Sequence, residues 1–299
     1  MESLPDDFIK RITARYSTIT KDVIPQIFCK KPVSIRVNTL KSTTLDVTSQ
    51  LDDLAIPFEK ISWYQDAFLL PTATAKQITE TLLYKEGRIY IQSFSSMIPA
   101  LVLNPKSGEK ILDMAAAPGS KTTQMAMMMK NKGEILANDI DSNRIYRLKS
   151  LLSNQGVTNA ITSRLPGQSL WTKYPEYFDT VLLDAPCSME GKFDINDPKS
   201  YDHWSLRKVK NLSKLQRWML RSAVSATKTG GTIVYSTCTL SPEENEEVIE
   251  WILEKEKDNI ILEKIIIENL PLEKGYILPS SKMEGFFVAK LKKIKSNIV

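Results

Sequence analysis

Residues 110–154 read as strand, tight loop, helix, strand and helix in immediate succession, and that order leaves few folds open. Lys110-Ile111-Leu112-Asp113-Met114 is a short apolar run, Gly119 to Lys130 is helical after a tight turn, and Gly133 to Asp139 gives a second strand. From Ser142 to Asn154, Ile145, Leu148, Leu151 and Leu152 fall on one helical face. Two later apolar runs, Phe178 to Leu183 and Thr232 to Tyr235, extend this βαβα unit as central strands. A long basic, amphipathic helix around Leu206 to Thr227 separates them, with Gly230-Gly231 marking the turn into the strand. Gly285 to Leu291 looks like a late antiparallel strand at the sheet's edge. The expected fold class is α/β: a Rossmann-like sheet with helices on both faces, plus a small N-terminal α/β module.

The module is expected because the first ~90 residues do not repeat the pattern. A helical start leads into Ser34-Ile35-Arg36-Val37-Asn38-Thr39-Leu40, then a helix and short strands. The partition read from the sequence is 1–88 and 89–299, and 299 residues suffice for one large core plus a small one. Three cysteines without framework spacing, and no apolar segment after Met1-Glu2-Ser3-Leu4-Pro5-Asp6-Asp7, point to a reduced, cytoplasmic protein without disulfides. No run approaches the ~20 apolar residues of a membrane span. A single histidine, His203, makes a Cys-His protease or a His-rich zinc site hard to build, so no metal is expected; beside Trp204 it reads as a cap or surface residue. The chain is expected to be a monomer.

Charge is distributed unevenly around a net +5. Lys199, Arg207, Lys208, Lys210, Lys214, Arg217 and Arg221 face one acidic residue, Asp202, in the stretch 199–221. Residues 1–41 hold eight basic and four acidic side chains. Solvated helix faces explain such runs as readily as a polyanion groove does.

Two loops carry the chemistry. Asp113-Met114-Ala115-Ala116-Ala117-Pro118-Gly119-Ser120-Lys121 joins the first strand to its helix, where small residues let a ligand approach the backbone and the helix amino terminus favours an anion. It is neither a Walker loop nor the three-glycine dinucleotide pattern, and a tight alanine turn needs no ligand. Asp139, 18 residues beyond Lys121 at the end of the second strand, is placed to bind ribose hydroxyls. NAD and S-adenosylmethionine both fit, and the loop does not separate them.

The second pair of loops holds cysteines 51 positions apart, in Asp184-Ala185-Pro186-Cys187-Ser188 and Tyr235-Ser236-Thr237-Cys238-Thr239. Both look like ends of buried strands, and in an open α/β sheet such ends share one ligand crevice. Cytosine carbon 5 is a poor nucleophile, and a thiolate adding at carbon 6 turns the ring into an enamine that takes a methyl group at carbon 5. Asp184 with Cys187 and Cys238 offers a thiolate, an acid near ring nitrogen 3 and a base. A free thiol of pKa about 8.5 needs activation. Ser241-Pro242-Glu243-Glu244 reads as a capping box, whose helix amino terminus just after Cys238 would supply it. Cys29 reads as a small hydrophobe.

These motifs, in this order, resemble the RNA cytosine-5 methyltransferases of the Nop/Sun type, especially the bacterial enzymes that modify small-subunit ribosomal RNA. The likeness runs from Ser34–Lys41 through Tyr90-Ile91-Gln92-Ser93-Phe94-Ser95-Ser96-Met97, the alanine-proline-glycine loop and both cysteine motifs to Pro242-Glu243-Glu244-Asn245-Glu246. The resemblance implies a Rossmann-like methyltransferase sheet, with Cys238 as nucleophile, Cys187 assisting product release and Asp184 beside them. It implies S-adenosylmethionine against Ala115, Ala116, Ala117, Pro118, Gly119, Ser120, Lys121, Asp139 and Asp184, with Arg144 nearby. It also implies an N-terminal module that grips ribosomal or transfer RNA, and a target base unstacked into the crevice.

The chain departs from the family at two points. Leu165-Pro166-Gly167-Gln168 stands where Asp-Gly is usual after the third strand, leaving Gln168 or a backbone group for that contact. Met189 replaces the usual glycine after Pro-Cys-Ser, and the extra RNA-binding domain of longer bacterial relatives is not seen after the last strand. The expected activity is 5-methylcytosine formation in RNA. The alternatives are a non-catalytic RNA-binding or ribosome-assembly factor on the same fold, and a dinucleotide-dependent oxidoreductase, which the missing glycine fingerprint disfavours.

Overall fold

The computed structural model describes residues 4–270, 272 and 274–298; the expectation for the first three residues lies outside them. Two sheets organise the chain. The small one comprises β1 (Val33–Val37), β2 (Glu59–Lys60), β3 (Ala67–Leu70) and β4 (Ile89–Ile91), antiparallel in the order β2-β3-β1-β4. The large one comprises β5 (Lys110–Asp113), β6 (Glu134–Asn138), β7 (Ala160–Ser163), β8 (Phe178–Asp184), β9 (Thr227–Thr237), β10 (Ile260–Glu263), β11 (Tyr276–Ile277) and β12 (Phe286–Lys293). Its order is β10-β12-β9-β8-β5-β6-β7, with β11 on β12. β7 to β9 run parallel, and β12 is antiparallel to β9.

Alternation along each central strand sends side chains to two separate cores. Leu112, Val181, Leu183, Ile233 and Tyr235 pack against the helices Leu206–Ala226 and Glu246–Lys255. Ile111, Leu182 and Val234 pack on the other face, against Phe94–Leu103 and Ser120–Met128. Leu4, Phe8, Ile12 and Phe28 also join the first of these cores. The strand order reverses between β5 and β8. In such sheets the crevice for ligands opens there, outside the carboxyl ends.

Three expected features are corrected. Gly230-Gly231 is not the turn that opens the strand: β9 begins at Thr227, and the two glycines lie in an irregularity where pairing with β8 jumps from Phe178↔Thr227 to Thr180↔Thr232. β12 is antiparallel as expected but is not an edge strand, because β10 covers its outer side. The capping box at Ser241 does not form. Pro242–Glu244 is a single 3-10 turn, the helix starts at Glu246, and both Ser241 and Glu244 side chains turn inward instead.

Alternation in β1 also joins the two sheets. Ile35 and Val37 fill the small sheet's own core with Val47, Leu51 and Phe68. Arg36, between them, points the other way and is fully buried. It donates to Gln92 Oε1 and Thr123 Oγ1, both at 2.9 Å, and to Met127 Sδ at 3.3 Å. Thr123 and Met127 lie on the helix that follows the alanine loop. Asn38 extends the joint, donating to the carbonyls of Gly87 and Gln155 at 2.8 Å. Burial lowers the guanidinium's pKa. Arg36→Ala would strand the Gln92 and Thr123 acceptors and open a cavity, so urea unfolding should show a loss of ~3 kcal/mol. A loss below ~0.5 kcal/mol, the scale of ordinary surface substitutions, would mean that the joint does not depend on Arg36.

Candidate active site

A cavity of about 480 Å³ opens at the point where the strand order reverses. Ala115, Ala116, Ala117, Pro118, Ser120 and Lys121 line one side; Asp184, Cys187 and Cys238 line the other, with Arg144 at the rim. Gly119 is outside the lining. At φ +115° it caps the helix Ser120–Met128, and a Cβ there would lie 2.8 Å from Leu148 Cδ1, so its role is close helix packing. Asp139 is buried and lines an adjoining hollow of about 110 Å³ with Leu165, Gly167 and Gln168, sharing Ala115 and Arg144 with the main cavity. The backbone N–H of Ala117 donates to Asp139 Oδ2 at 3.2 Å, and Arg144 lies 3.4 Å from the same oxygen.

Asp184 ends β8 paired with Ser236 of β9. Ser236 Oγ donates to its Oδ1 at 2.7 Å and Lys121 Nζ to its Oδ2 at 2.6 Å, while Lys121 also donates to Ser96 Oγ at 3.0 Å. Beyond it, Cys187 Sγ and Cys238 Sγ lie 3.1 Å apart. The Cys238 N–H donates to Cys187 Sγ at 3.3 Å, and the two sulfurs share a hydrogen bond that either thiol can donate. That hydrogen bond, together with burial, pushes the Cys187 pKa well up. The same hydrogen bond, helped by the charge of Lys192 and opposed by burial, lowers that of Cys238. The pair is unequal: its surroundings favour the thiolate form at Cys238 and the thiol form at Cys187. The activating helix amino terminus expected after Ser241 is replaced by these two groups.

Two buried glutamates hold the cysteine loops together. Glu244 accepts from Ser188 N–H at 3.0 Å, from Gln216 Nε2 at 2.8 Å and from Ser188 Oγ. Glu190 accepts from Thr239 Oγ1 at 2.9 Å, Leu240 N–H at 3.2 Å, Ser241 Oγ at 2.6 Å and Trp204 Nε1 at 2.8 Å. Ser188 and Thr239, each directly after a cysteine, meet at 2.7 Å. If both hydroxyls donate to carboxylates, no proton remains for that contact. A proton on Glu244 would supply it by donating to Ser188 Oγ in place of accepting from it, and burial pushes the Glu244 pKa up to about 7.

Met189 sits at φ +63°, the left-handed region where a Cβ costs roughly 1–2 kcal/mol, and its side chain lines the cavity. His203 lies outside the cavity, 3.4 Å from Asp202, and the following helix is capped by Ser205 rather than by His203. Cys29 donates to the Gln26 carbonyl and lines a separate groove. Of the basic run, Arg217 and Arg221 pair with Glu247 and Glu256 at 3.6 Å, whereas Lys210 and Lys214 are exposed.

Residues 100–292 match the model described as 16S rRNA methyltransferase RsmB/F, and residues 4–93 match the N-terminal domain of 16S rRNA methyltransferase RsmF. The chain belongs to the RsmB/F methyltransferase family. It is 36% identical over 307 residues to the ribosomal RNA small subunit methyltransferase F of Pectobacterium carotovorum subsp. carotovorum (strain PC1), covering 95% of this chain and 63% of that protein. The chain thus spans less than two thirds of that curated relative. A methyltransferase homolog protein from Pyrococcus horikoshii is 32% identical, with a TM-score of 0.79 over 98% of this chain and 100% of that one. The fold is shared with NSun6 from the same organism, at 24% identity, a TM-score of 0.86 and coverage of 99% and 100%. The Rossmann-like methyltransferase fold expected from the sequence is the fold observed.

Sequence reasoning missed Asp113, Glu190, Glu244 and Lys192 as site residues. Asp113 was the one with a signal, since it ends β5 as Asp184 ends β8. It is buried, accepts from Thr122 Oγ1 at 2.7 Å, and has its Oδ1 unpartnered among the described residues. Burial pushes its pKa up to about 7. A carboxyl group with a spare oxygen on this cavity fits the ammonium of an amino-acid ligand. Without ligand, a raised carboxyl pKa favours the folded state below the unfolded value of 3.8, and that advantage is lost as pH rises toward 7. Asp113→Asn should therefore flatten the fall in stability between pH 5 and pH 7 by roughly 2 kcal/mol, at about 1.4 kcal/mol per pKa unit. Denaturant titrations at the two pH values check this; identical slopes in both proteins would remove Asp113 from the titrating set.

Proposed function

We propose that this protein transfers the methyl group of S-adenosylmethionine to carbon 5 of a cytosine in RNA, with small-subunit ribosomal RNA as the favoured substrate. The observation that carries this reading is the unequal thiol pair: two sulfurs 3.1 Å apart, one held toward thiolate and one toward thiol, beside Asp184. Methyl transfer to oxygen or nitrogen needs no such pair. An unactivated pyrimidine carbon needs a nucleophile to create the enamine and a second group to let the adduct collapse.

The cofactor, when bound, supplies an electrophilic methyl group on a sulfonium. Asp113, with its spare buried oxygen, takes the amino-acid ammonium; Asp139 takes the ribose hydroxyls; and the hollow beside Leu165 and Gln168 takes the base. Gln168 stands in for the acidic residue usual in the family. Ala115 to Pro118 admit the ligand because no side chain longer than a methyl group or a proline ring fills the approach.

The target cytosine leaves its stack and enters from the rim near Met189. The Cys238 sulfur then forms a bond to carbon 6, and the ring's displaced electron pair moves toward nitrogen 3. Nitrogen 3 takes up a proton from water, and the Asp184 carboxylate, held by the Lys121 ammonium, accepts its N–H until the proton returns to water as the ring regains its double bond. Carbon 5 would then take the methyl group, with the electron pair of the broken methyl–sulfonium bond left on the cofactor's sulfur. The carbon 5 proton then goes to a base, the carbon 6–sulfur bond breaks, and Cys238 regains its electron pair. Cys187 fits the base at this stage and not earlier, once its own S–H proton has passed to water. Adduct formation removes the charge on Cys238, and with it the hydrogen bond that holds the proton on Cys187. Exposed Lys210 and Lys214, together with the N-terminal module, grip the RNA backbone.

A denaturing gel of each variant with cytosine-containing RNA and S-adenosylmethionine tests the division of labour. Cys238→Ala should give neither methyl transfer nor adduct. Cys187→Ala should attack and methylate but release poorly, so a denaturation-resistant protein–RNA band accumulates. A band with Cys238→Ala and none with Cys187→Ala would reverse the roles. No band and no transfer by the unmodified protein would favour a non-catalytic RNA-binding factor.

A further inference from the structure

The short turn Glu190–Lys192 is tied to the loop after Cys238 by backbone and side chain together. Gly191 N–H donates to the Cys238 carbonyl at 3.0 Å, while the Glu190 carboxylate accepts from Thr239, Leu240 and Ser241. From the other side, Gly285 N–H donates to the Gly191 carbonyl at 3.0 Å. A Cβ at Gly191 would lie 1.9 Å from Gly285 O, so the close approach requires glycine. The backbone of Lys192 is therefore fixed relative to Cys238.

Its side chain lines the same cavity as both cysteines. The other ammonium on that wall, Lys121, is taken up by Asp184. The Lys192 ammonium makes no hydrogen bond or salt bridge to another described residue. The groups whose charge or hydrogen bonding bears on Cys238 are the Cys187 thiol, the Lys192 ammonium and the carboxylates of Asp184 and Glu284. The Asp184 charge is offset by Lys121. Without Lys192, a thiolate here faces carboxylates with only one neutral S–H donor in its favour. The influence is mutual, since Cys238 is the main cause that raises the Lys192 pKa above its ordinary value.

We propose that Lys192 is the cation that keeps Cys238 as a thiolate, held in place for that purpose by the Glu190–Gly191 lock on the Cys238 loop. In the step concerned, Cys238 loses its proton to water and the sulfur keeps the electron pair, with Lys192 as counter-charge. This rests on the reading of Cys238 as the attacking sulfur, but the thiolate is measurable without RNA or cofactor.

The test is the pH dependence of Cys238 alkylation by iodoacetamide in the full chain. It is read at the Cys238 peptide by mass spectrometry, so that Cys29 and Cys187 do not contribute. Lys192→Met should move the midpoint up by ~1 pH unit and slow alkylation at pH 7 about tenfold. Lys192→Arg, which restores the charge, should return it toward the original profile. Thermal melting of both variants verifies folding, and Lys192→Gln serves if the methionine variant does not fold. An unmoved profile in folded Lys192→Met or Lys192→Gln overturns the proposal, as does failure of Lys192→Arg to restore it. An alkylation shift without any RNA adduct upholds Lys192 and removes the nucleophile reading. An adduct formed without an alkylation shift does the reverse.

Discussion

A chain of buried hydrogen bonds, Glu244 to Ser188 to Thr239 to Glu190, sets the separation of the two cysteine loops. Parallel neighbouring strands bring two loops to one end of a sheet, but they do not fix side chains to within a few tenths of an ångström. Here the residue directly after each cysteine is clamped, and each clamp ends on a glutamate with almost no solvent exposure. Burying two carboxyl groups is costly unless every lone pair finds a donor. Glu190 accepts four hydrogen bonds, and Glu244 is pushed toward its neutral form. The sulfurs meet at 3.1 Å because this network leaves them little freedom.

Everything else at the site is arranged around that clamp. β8 and β9 deliver the loops, and β5 delivers Asp113 and the alanine turn from the neighbouring position in the sheet. The helix Ser120–Met128 gives Lys121 to Asp184 on one side and Thr123 to Arg36 on the other. The small sheet and the cavity are thus coupled through one helix.

What the sequence made legible were features set by local pattern. Alternating and continuous apolar runs located β5, β6 and β8, and the residues that end those runs, Asp139, Asp184 and the alanine loop, were identified with them. Cys187 and Cys238 were legible because each follows a buried strand. What was not legible depends on partners distant in the chain. Ser241 and Glu244 have the spacing of a capping box, but buried donors and acceptors more than 25 residues away recruit their side chains, and the helix starts later. Glu190 and Lys192 look like ordinary surface charges until the Gly191–Gly285 approach is known. β12 reads as an edge strand because β10, half exposed at Ile261 and Leu262, has too weak an alternation to announce itself. Gly119 reads as a ligand-facing glycine, whereas the helix behind it supplies the reason.

The central claim is that Cys238, not Cys187, bonds to the target base. RNA containing 5-fluorocytosine tests it in the unmodified protein, because fluorine at carbon 5 leaves no proton for a base to remove and the sulfur cannot depart after methyl transfer. Peptide mapping of the trapped complex by mass spectrometry identifies the attached residue. The account predicts that the nucleotide is carried by the peptide containing Cys238, with Cys187 free. A nucleotide attached at Cys187 would contradict it.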